Sequence, residues 1–210
     1  MTHVPFDRII NDTDALIAEH KIFGCAYIGL GMMPAQFFGS RENVLAFTKQ
    51  INPAAKKIHD AGLRFVYHNH CPEFEKYDGQ TVMDILAENT EYVGFLVDTY
   101  WVQAGGADPS DFILKYKDLI DIVHLKDFKM NGWEKKMAAV GDGNLNWVKI
   151  LSACEQAGVK WLPVEHDDAE DAFVRLTDVR FVAGDREKIA GHDRALHDCP
   201  VEARPYKGLL

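Results

Sequence analysis

The sequence has few cysteines, no long apolar run and no excess of positive charge. Its four cysteines form no Cys-x-x-Cys pair, which argues against a disulfide framework or a zinc knuckle and predicts reduced thiols in the cytoplasm. No apolar stretch approaches the roughly 20 residues of a membrane span. The first residues show no basic segment followed by an apolar core, so no secretory signal is expected. The net charge of −9 argues against nucleic acid or an anionic membrane as a partner.

What the sequence does contain is a regular alternation of short apolar runs and helical patterns. The 210 residues are enough for one good-sized core. Strands are predicted at 25–31, 65–70, 94–100, 120–126 and 161–166. Helices are predicted at 12–22, 41–61, 81–89, 109–119 and 147–157, and a polar loop at 127–146. This order predicts an α/β fold with a parallel sheet and right-handed crossovers.

Four of the apolar runs end on a residue that can bind a metal ion. The runs finish at His68, Asp98, His124 and Glu165. Because parallel strands end at one edge of the sheet, where α/β active sites are built, these side chains should converge. Two imidazoles and two carboxylates suit Mn²⁺, Mg²⁺, Co²⁺ or Zn²⁺.

A second layer of polar residues follows two positions later along each run. Side chains alternate across a strand, so each of these residues should share a face with the ligand before it. The predicted layer consists of His70, Tyr100, Lys126 and Asp167. Donors and acceptors of this kind around a bound cation suit a polyhydroxylated or phosphorylated substrate.

Each of these residues also has a purely structural interpretation. A histidine at a strand end can bond a loop carbonyl, and an acidic residue there can cap the next helix. Lys126 and Asp127 could be an exposed ion pair. The Gly-Asp-Gly-Asn segment at 141–144 lacks the Gly-Lys-Ser/Thr of a Walker loop, so we interpret it as a tight turn, with Asn144 or Asn146 capping the next helix.

Several motifs together resemble the sugar phosphate isomerase/epimerase family of xylose-isomerase-like TIM barrels. They are Tyr67-His68-Asn69-His70, Glu73-Phe74, Asp98-Thr99-Tyr100-Trp101, His124-Leu125-Lys126-Asp127, the segment 140–147 and Val164-Glu165. The resemblance spans about residues 22–176. It implies a divalent-metal site with His68, Asp98, His124 and Glu165 as ligands. It also implies that Glu73 contacts the substrate and that His70, Trp101 and Lys126 line the pocket.

The chain departs from that family in its length. A closed barrel needs eight strands, and five are predicted here. We therefore expect an incomplete barrel, with about five βα units in residues 1–176 and an irregular tail at 177–210. An open sheet leaves a strand edge unpaired, so a completing chain or a second copy is an expected partner beside a small sugar substrate.

Two classes of function fit this pattern. The first is a carbohydrate isomerase or epimerase that moves a proton next to a carbonyl, with Glu165 or His70 moving the proton and Lys126 stabilising enolate charge. A lyase of the inosose dehydratase type is the alternative within enzymes, since the same metal site can expel a β-hydroxyl group. The second class is a non-catalytic remnant or subunit that binds a sugar.

Overall fold

Five parallel strands form the main sheet within residues 1–167. The computed structural model describes residues 1–167. In sheet order, the strands are β1 (Thr2–His3), β2 (Tyr27–Leu30), β3 (Arg64–His68), β6 (Val93–Asp98) and β7 (Ile120–His124). Every neighbouring pair is parallel, and the order in the sheet is the order in the chain. The predicted barrel-type α/β fold with about five βα units is confirmed for these residues.

Helices connect the successive strands of the sheet. They are α1 (Phe6–Asn11), α2 (Thr13–Phe23), α3 (Arg41–Asp60), α4 (Val82–Asn89), α5 (Thr99–Ala104), α6 (Pro109–Lys115) and α7 (Trp147–Ala157), with short 3-10 turns at Ala35–Phe37, Pro72–Phe74 and Lys117–Leu119. Ser40 caps α3, which continues through Pro53, and Asn146 caps α7. Among the helices of the described chain, none has the length and apolar character needed to cross a bilayer.

The two faces of the sheet carry different groups. One face packs against the helices and forms the large core, in which Phe47, Phe65 and Phe95 are almost fully buried. The other face carries a small buried cluster of Val66, Leu96 and Ile122. Since side chains alternate along a strand, the residues two positions further on point to this second face.

Two short hairpins lie outside the main sheet. Strands β4 (Lys76–Tyr77) and β5 (Gln80–Thr81) pair before α4, and β8 (Asp127–Asn131) pairs with β9 (Glu134–Ala138) after β7. The second hairpin corrects the prediction of a polar loop at 127–146. Its lysines and asparagine masked the strand signal, and the two-residue turn depends on Gly132, whose φ is 61°.

Two further predictions about the elements were wrong. Before the strand expected at 25–31, the sequence predicted only a helix at 12–22, yet this region contains β1, α1 and α2. Strand β1 is only two residues long, too short for a periodic signal. The predicted strand at 161–166 is an extended segment with isolated bridges from Trp161 to Ile122 and from Val164 to Leu125. Pro163 interrupts that ladder because it has no N–H group. The predicted tail at 177–210 lies outside the described residues.

The carboxylate of Asp127 organises the loop between the second hairpin and α7. It is 1% exposed, so Asp127 is not part of an exposed ion pair. It accepts hydrogen bonds from five donors: the backbone N–H groups of Phe128, Gly141, Gly143 and Leu145, and Nε1 of Trp147. A Cβ at position 143 would lie 2.2 Å from Oδ1 of Asp127, so only glycine fits there.

We expect Asp127→Ala to lower the free energy of unfolding by about 3 kcal/mol or more, because it leaves several buried donors without a partner. Urea unfolding followed by circular dichroism measures this change. The matched control is Asp142→Ala, an exposed aspartate of the same loop. A difference between the two variants of less than about 1 kcal/mol would contradict the role of Asp127.

Candidate metal centre

Four candidate ligands meet at the carboxyl edge of the sheet. His68, Asp98 and His124 end β3, β6 and β7, two positions after Val66, Leu96 and Ile122, and therefore point to the same inner face. Glu165 follows the extended segment beside β7. Each of the four residues offers one ligand atom, and these atoms all lie within 4.8 Å of one another. The structure thus brings together all four residues that the sequence proposed as ligands.

The ligand atoms face one another at short distances. Nε2 of His68 lies 3.5 Å from Oδ2 of Asp98, and Nδ1 of His124 lies 2.5 Å from Oε2 of Glu165. All four atoms are buried, and none meets hydrogen-bond geometry within the described residues. Buried polar atoms without partners are rare and costly. Two nitrogens and two carboxylate oxygens aimed at a shared point fit a divalent cation.

Burial determines the electrostatics of this cluster. Burial lowers the pKa of His68 to about 3, and the nearby His124 imidazole lowers it further. The low pKa keeps the His68 ring neutral, which is the form that binds a metal ion. Burial raises the pKa of Asp98 to about 7, against the opposing effects of Lys126 and His124. For Glu165, burial raises the pKa, but the contacts with His124 and Lys126 outweigh it and bring the value to about 2.

Asp98 is fixed from two directions. Its Oδ1 accepts a hydrogen bond of 3.1 Å from the backbone N–H of Trp101 and so caps α5. Its own backbone N–H donates to Oδ1 of Asn69, at 3.0 Å. One carboxylate oxygen therefore holds the helix, and the other is directed at the candidate metal position. The capping interpretation of this residue and the ligand interpretation are compatible.

Lys126 is the main group of the second layer. It is 2% exposed, and its Nζ lies 2.6 Å from Oδ2 of Asp167 and 3.9 Å from Oδ2 of Asp98. The ammonium group also lies 5.3 Å from the ring centre of Trp101 and 5.8 Å from that of Tyr100. The surroundings hold a buried cation in place close to the candidate metal position.

Two residues reach this layer in a different way from the prediction. Tyr100 was expected to share a strand face with Asp98, but β6 ends at Asp98 and Tyr100 lies in α5. His70 lies beyond β3, with its ring 4.7 Å from His68 and 5.2 Å from Trp101. Both side chains still lie near the pocket, because α5 and the segment after β3 fold back over the strand ends.

Glu73 lies behind the pocket. It is fully buried, with Oε1 accepting a hydrogen bond from the Tyr67 hydroxyl at 2.5 Å and Oε2 accepting one from the backbone N–H of His70 at 2.9 Å. Both carboxylate oxygens are thus used within the protein. Through the backbone N–H of His70, Glu73 holds the segment that carries the His70 ring.

Sequence reasoning missed three residues near this site. Asn69 holds the backbone of Asp98, Asp127 organises the neighbouring loop, and the ring of His3 lies 5.2 Å from that of His68. Asn69 and Asp127 adjoin the candidate ligand His68 and the pocket residue Lys126, and that adjacency was the available signal. His3 has no such signal, because no apolar run precedes it.

A protein-family model matches most of the chain. The model of a family described as xylose isomerase-like TIM barrel matches residues 7–195, so the chain belongs to that family. The resemblance found in the motifs is therefore confirmed. Among curated proteins, none matches the chain.

Solved structures share the fold. A sugar phosphate isomerase/epimerase from Parabacteroides distasonis aligns with a TM-score of 0.69 and 24% identity, over 88% of this chain and 68% of its own. A probable 3-DHS dehydratase from Bacillus anthracis aligns with a TM-score of 0.67 and 12% identity, over 86% and 71%.

A third solved structure shares the fold and contains a metal ion. A xylose isomerase-like TIM barrel protein from Mycobacterium smegmatis, in complex with magnesium, aligns with a TM-score of 0.64 and 14% identity, over 86% of this chain and 67% of its own. At such identities these likenesses show the fold alone. The chain spans about two thirds of the length of such structures.

We expect the double variant Asp98→Ala, Glu165→Ala to lose metal binding, because it removes both carboxylates of the cluster. After dialysis against a mixture of Mn²⁺, Co²⁺, Zn²⁺ and Mg²⁺, elemental analysis should find about one ion per unmodified chain and under about a tenth of that in the variant. The matched control, Asp118→Ala with Glu155→Ala, removes two exposed carboxylates elsewhere. Equal metal content in the two double variants would rule out the centre.

Proposed function

We propose that the protein is a divalent-metal-dependent isomerase or epimerase that moves a proton next to the carbonyl group of a sugar or sugar phosphate. The observation that carries the proposal is the convergence of His68, Asp98, His124 and Glu165 beside the buried ammonium of Lys126. The names of several structural neighbours are in keeping with it. A small sugar is accordingly the proposed substrate.

The four ligands would hold one ion of Mn²⁺, Mg²⁺, Co²⁺ or Zn²⁺. When bound, such an ion supplies a Lewis acid for vicinal oxygens of a carbohydrate. The mixed nitrogen and oxygen donors suit Mn²⁺, Co²⁺ and Zn²⁺, whereas Mg²⁺ prefers oxygen alone.

Lys126 would stabilise negative charge that develops on a substrate oxygen. Its Nζ is desolvated, and the bond to Asp167 fixes its position. A preorganised cation in a water-poor site is more effective than one in water, because it does not have to reorient during the reaction. Asp167 is more exposed than Lys126, so a substrate can approach from that side.

Either of two groups would move the proton. Glu165 and His70 both lie at the opening of the cluster and are only partly buried. Glu165 is also a candidate metal ligand, whereas His70 lies next to the ligands and is not one of them. The backbone N–H of His70 donates a hydrogen bond to Glu73, which fixes this segment. The indole of Trp101, packed on the His70 ring, would face the sugar.

A dehydratase is the second candidate, and the likeness to the probable 3-DHS dehydratase favours it. Both reactions begin by removing a proton beside a carbonyl. They differ in the next step, because a lyase expels a β-hydroxyl group as water and an isomerase returns the proton.

Deuterium exchange tests the proposal. In D₂O with Mn²⁺ or Co²⁺, we expect incorporation of deuterium into one C–H position of a ketose or ketose phosphate, measured by NMR over a panel of both. Lys126→Ala and His70→Ala should each slow the exchange by about 100-fold, which is about 2.7 kcal/mol.

The control variants are Lys129→Ala, an exposed lysine of the second hairpin, and His59→Ala, an exposed histidine of α3. Both should exchange at the unmodified rate. If Lys126→Ala and His70→Ala stay within about twofold of that rate, the two assigned roles are wrong. Release of water with formation of an unsaturated product would instead identify the lyase.

A further inference from the structure

In the described part of the chain, no protein group hydrogen-bonds the ring of the candidate ligand His68. Metal-binding histidines almost always donate their second ring N–H to a carboxylate, a carbonyl oxygen or water. Within residues 1–167, neither Nδ1 nor Nε2 of His68 has a hydrogen-bond partner. Nε2 is directed towards Asp98. No protein group of these residues therefore fixes the ring through Nδ1, and the contacts of the ring faces become important for its orientation.

That contact is a stack of imidazole rings. The ring of His3 lies almost parallel to that of His68, with 5.2 Å between centroids and 20° between planes. The rings of His70 and His124 meet His68 at steep angles of 63° and 57°. Among these neighbours, only His3 covers a face of the His68 ring. Rotation of His68 about its side chain would break this stack.

A glycine of β2 makes room for the His3 ring. His3 pairs with Gly29 in the parallel ladder between β1 and β2. A Cβ at position 29 would lie 3.0 Å from Cδ2 of His3, whereas one at position 31 would lie 3.4 Å from its Nδ1. The first distance is tighter than most Cβ contacts, and the same Cβ would lie 3.1 Å from the carbonyl oxygen of Thr2 and 3.2 Å from Sδ of Met1, so β1 and the His3 ring would have to shift slightly. The second distance is an ordinary contact. A glycine within a strand often marks such a close approach.

The short strand β1 is itself anchored beside the site. Oγ1 of Thr2 lies 2.6 Å from Nε2 of His20, a buried histidine whose Nδ1 lies 2.8 Å from the carbonyl oxygen of Leu16. On the other side, the backbone N–H of Val4 donates to the carbonyl oxygen of Gly29 at 2.8 Å. These bonds on both sides of His3 fix its backbone, so its ring can act as a rigid support.

We propose that His3 is a positioning residue that holds the His68 ring in its metal-binding orientation by stacking, with Gly29 providing the space. The proposal rests on the proposed metal-dependent function. It assigns the ring face of His3, and not its nitrogens, as the active part. His3 lies next to the four-ligand cluster and outside it.

Cobalt binding by the full chain tests this role. We expect His3→Ala to weaken Co²⁺ affinity by about 10-fold or more, the range seen when outer-layer partners of a metal site are lost, and to change the visible absorption spectrum of the bound ion. His3→Phe keeps an aromatic face without ring nitrogens and should stay within about threefold of the unmodified protein. His59→Ala, whose ring stacks on Tyr92 instead, is the control and should change nothing.

A second pair of variants leaves His3 itself unchanged. Gly29→Ala should weaken Co²⁺ binding because its Cβ crowds the His3 ring and the adjoining backbone of β1 and so shifts the stack, whereas Gly31→Ala should bind normally. Thermal melts followed by circular dichroism confirm that each variant is folded. Should His3→Ala fail to fold, the comparison of Gly29→Ala with Gly31→Ala decides the question.

The outcomes separate this inference from the function on which it rests. If the unmodified protein binds no Co²⁺, the proposed metal centre falls and the role of His3 falls with it. If the unmodified protein binds Co²⁺ and both His3→Ala and Gly29→Ala bind it within about twofold, only the role of His3 is overturned. Equal losses in His3→Phe and His3→Ala would also overturn it, because the nitrogens would then be the active part.

Discussion

The buried carboxylate of Asp98 is the group on which both the fold and the site depend. A carboxylate with no exposed surface has lost its hydration, and the cost is several kcal/mol unless other groups replace it. Here the replacement comes from the N-terminus of α5, from the ammonium of Lys126 and from the neighbouring imidazoles. A divalent cation would complete it. The candidate metal position is thus the place where the protein compensates for a charge that its sheet has buried.

Just after β7, two adjacent charged residues, Lys126 and Asp127, are also buried and paired. The ammonium group of Lys126 lies close to the carboxylates of Asp98 and Asp167, while Asp127 accepts hydrogen bonds from the loop that leads to α7. Their backbones are continuous, so the loop bonds of Asp127 also fix the position from which Lys126 extends. The hydroxyl of Thr99, bonded to the backbone of Lys126, ties this strand end to that of Asp98. The pocket is therefore built as one connected polar layer above an apolar sheet.

Sequence patterns predicted the parts of the fold that depend on burial. Strands β2, β3, β6 and β7 are mostly apolar and largely buried on both faces, and an apolar run is the expected signal of such strands. Elements that depend on a few local contacts were not predicted correctly. Strand β1 consists of two residues, the second hairpin is rich in lysine, and Pro163 turns the last extended segment into isolated bridges. Hydrophobic periodicity carries no information about any of these three.

The same distinction explains how far the site could be predicted. Positions at the ends of buried strands follow from the sheet alone, so the four candidate ligands were found together. Orientation follows from contacts between elements that are distant in sequence. The ring of His3 reaches His68 because a glycine lies opposite it in the next strand, and Glu73 turns away from the pocket because Tyr67 and His70 hold both of its oxygens. Since a histidine binds metal only when its ring points correctly, these missed contacts determine whether the predicted ligands can act as a set.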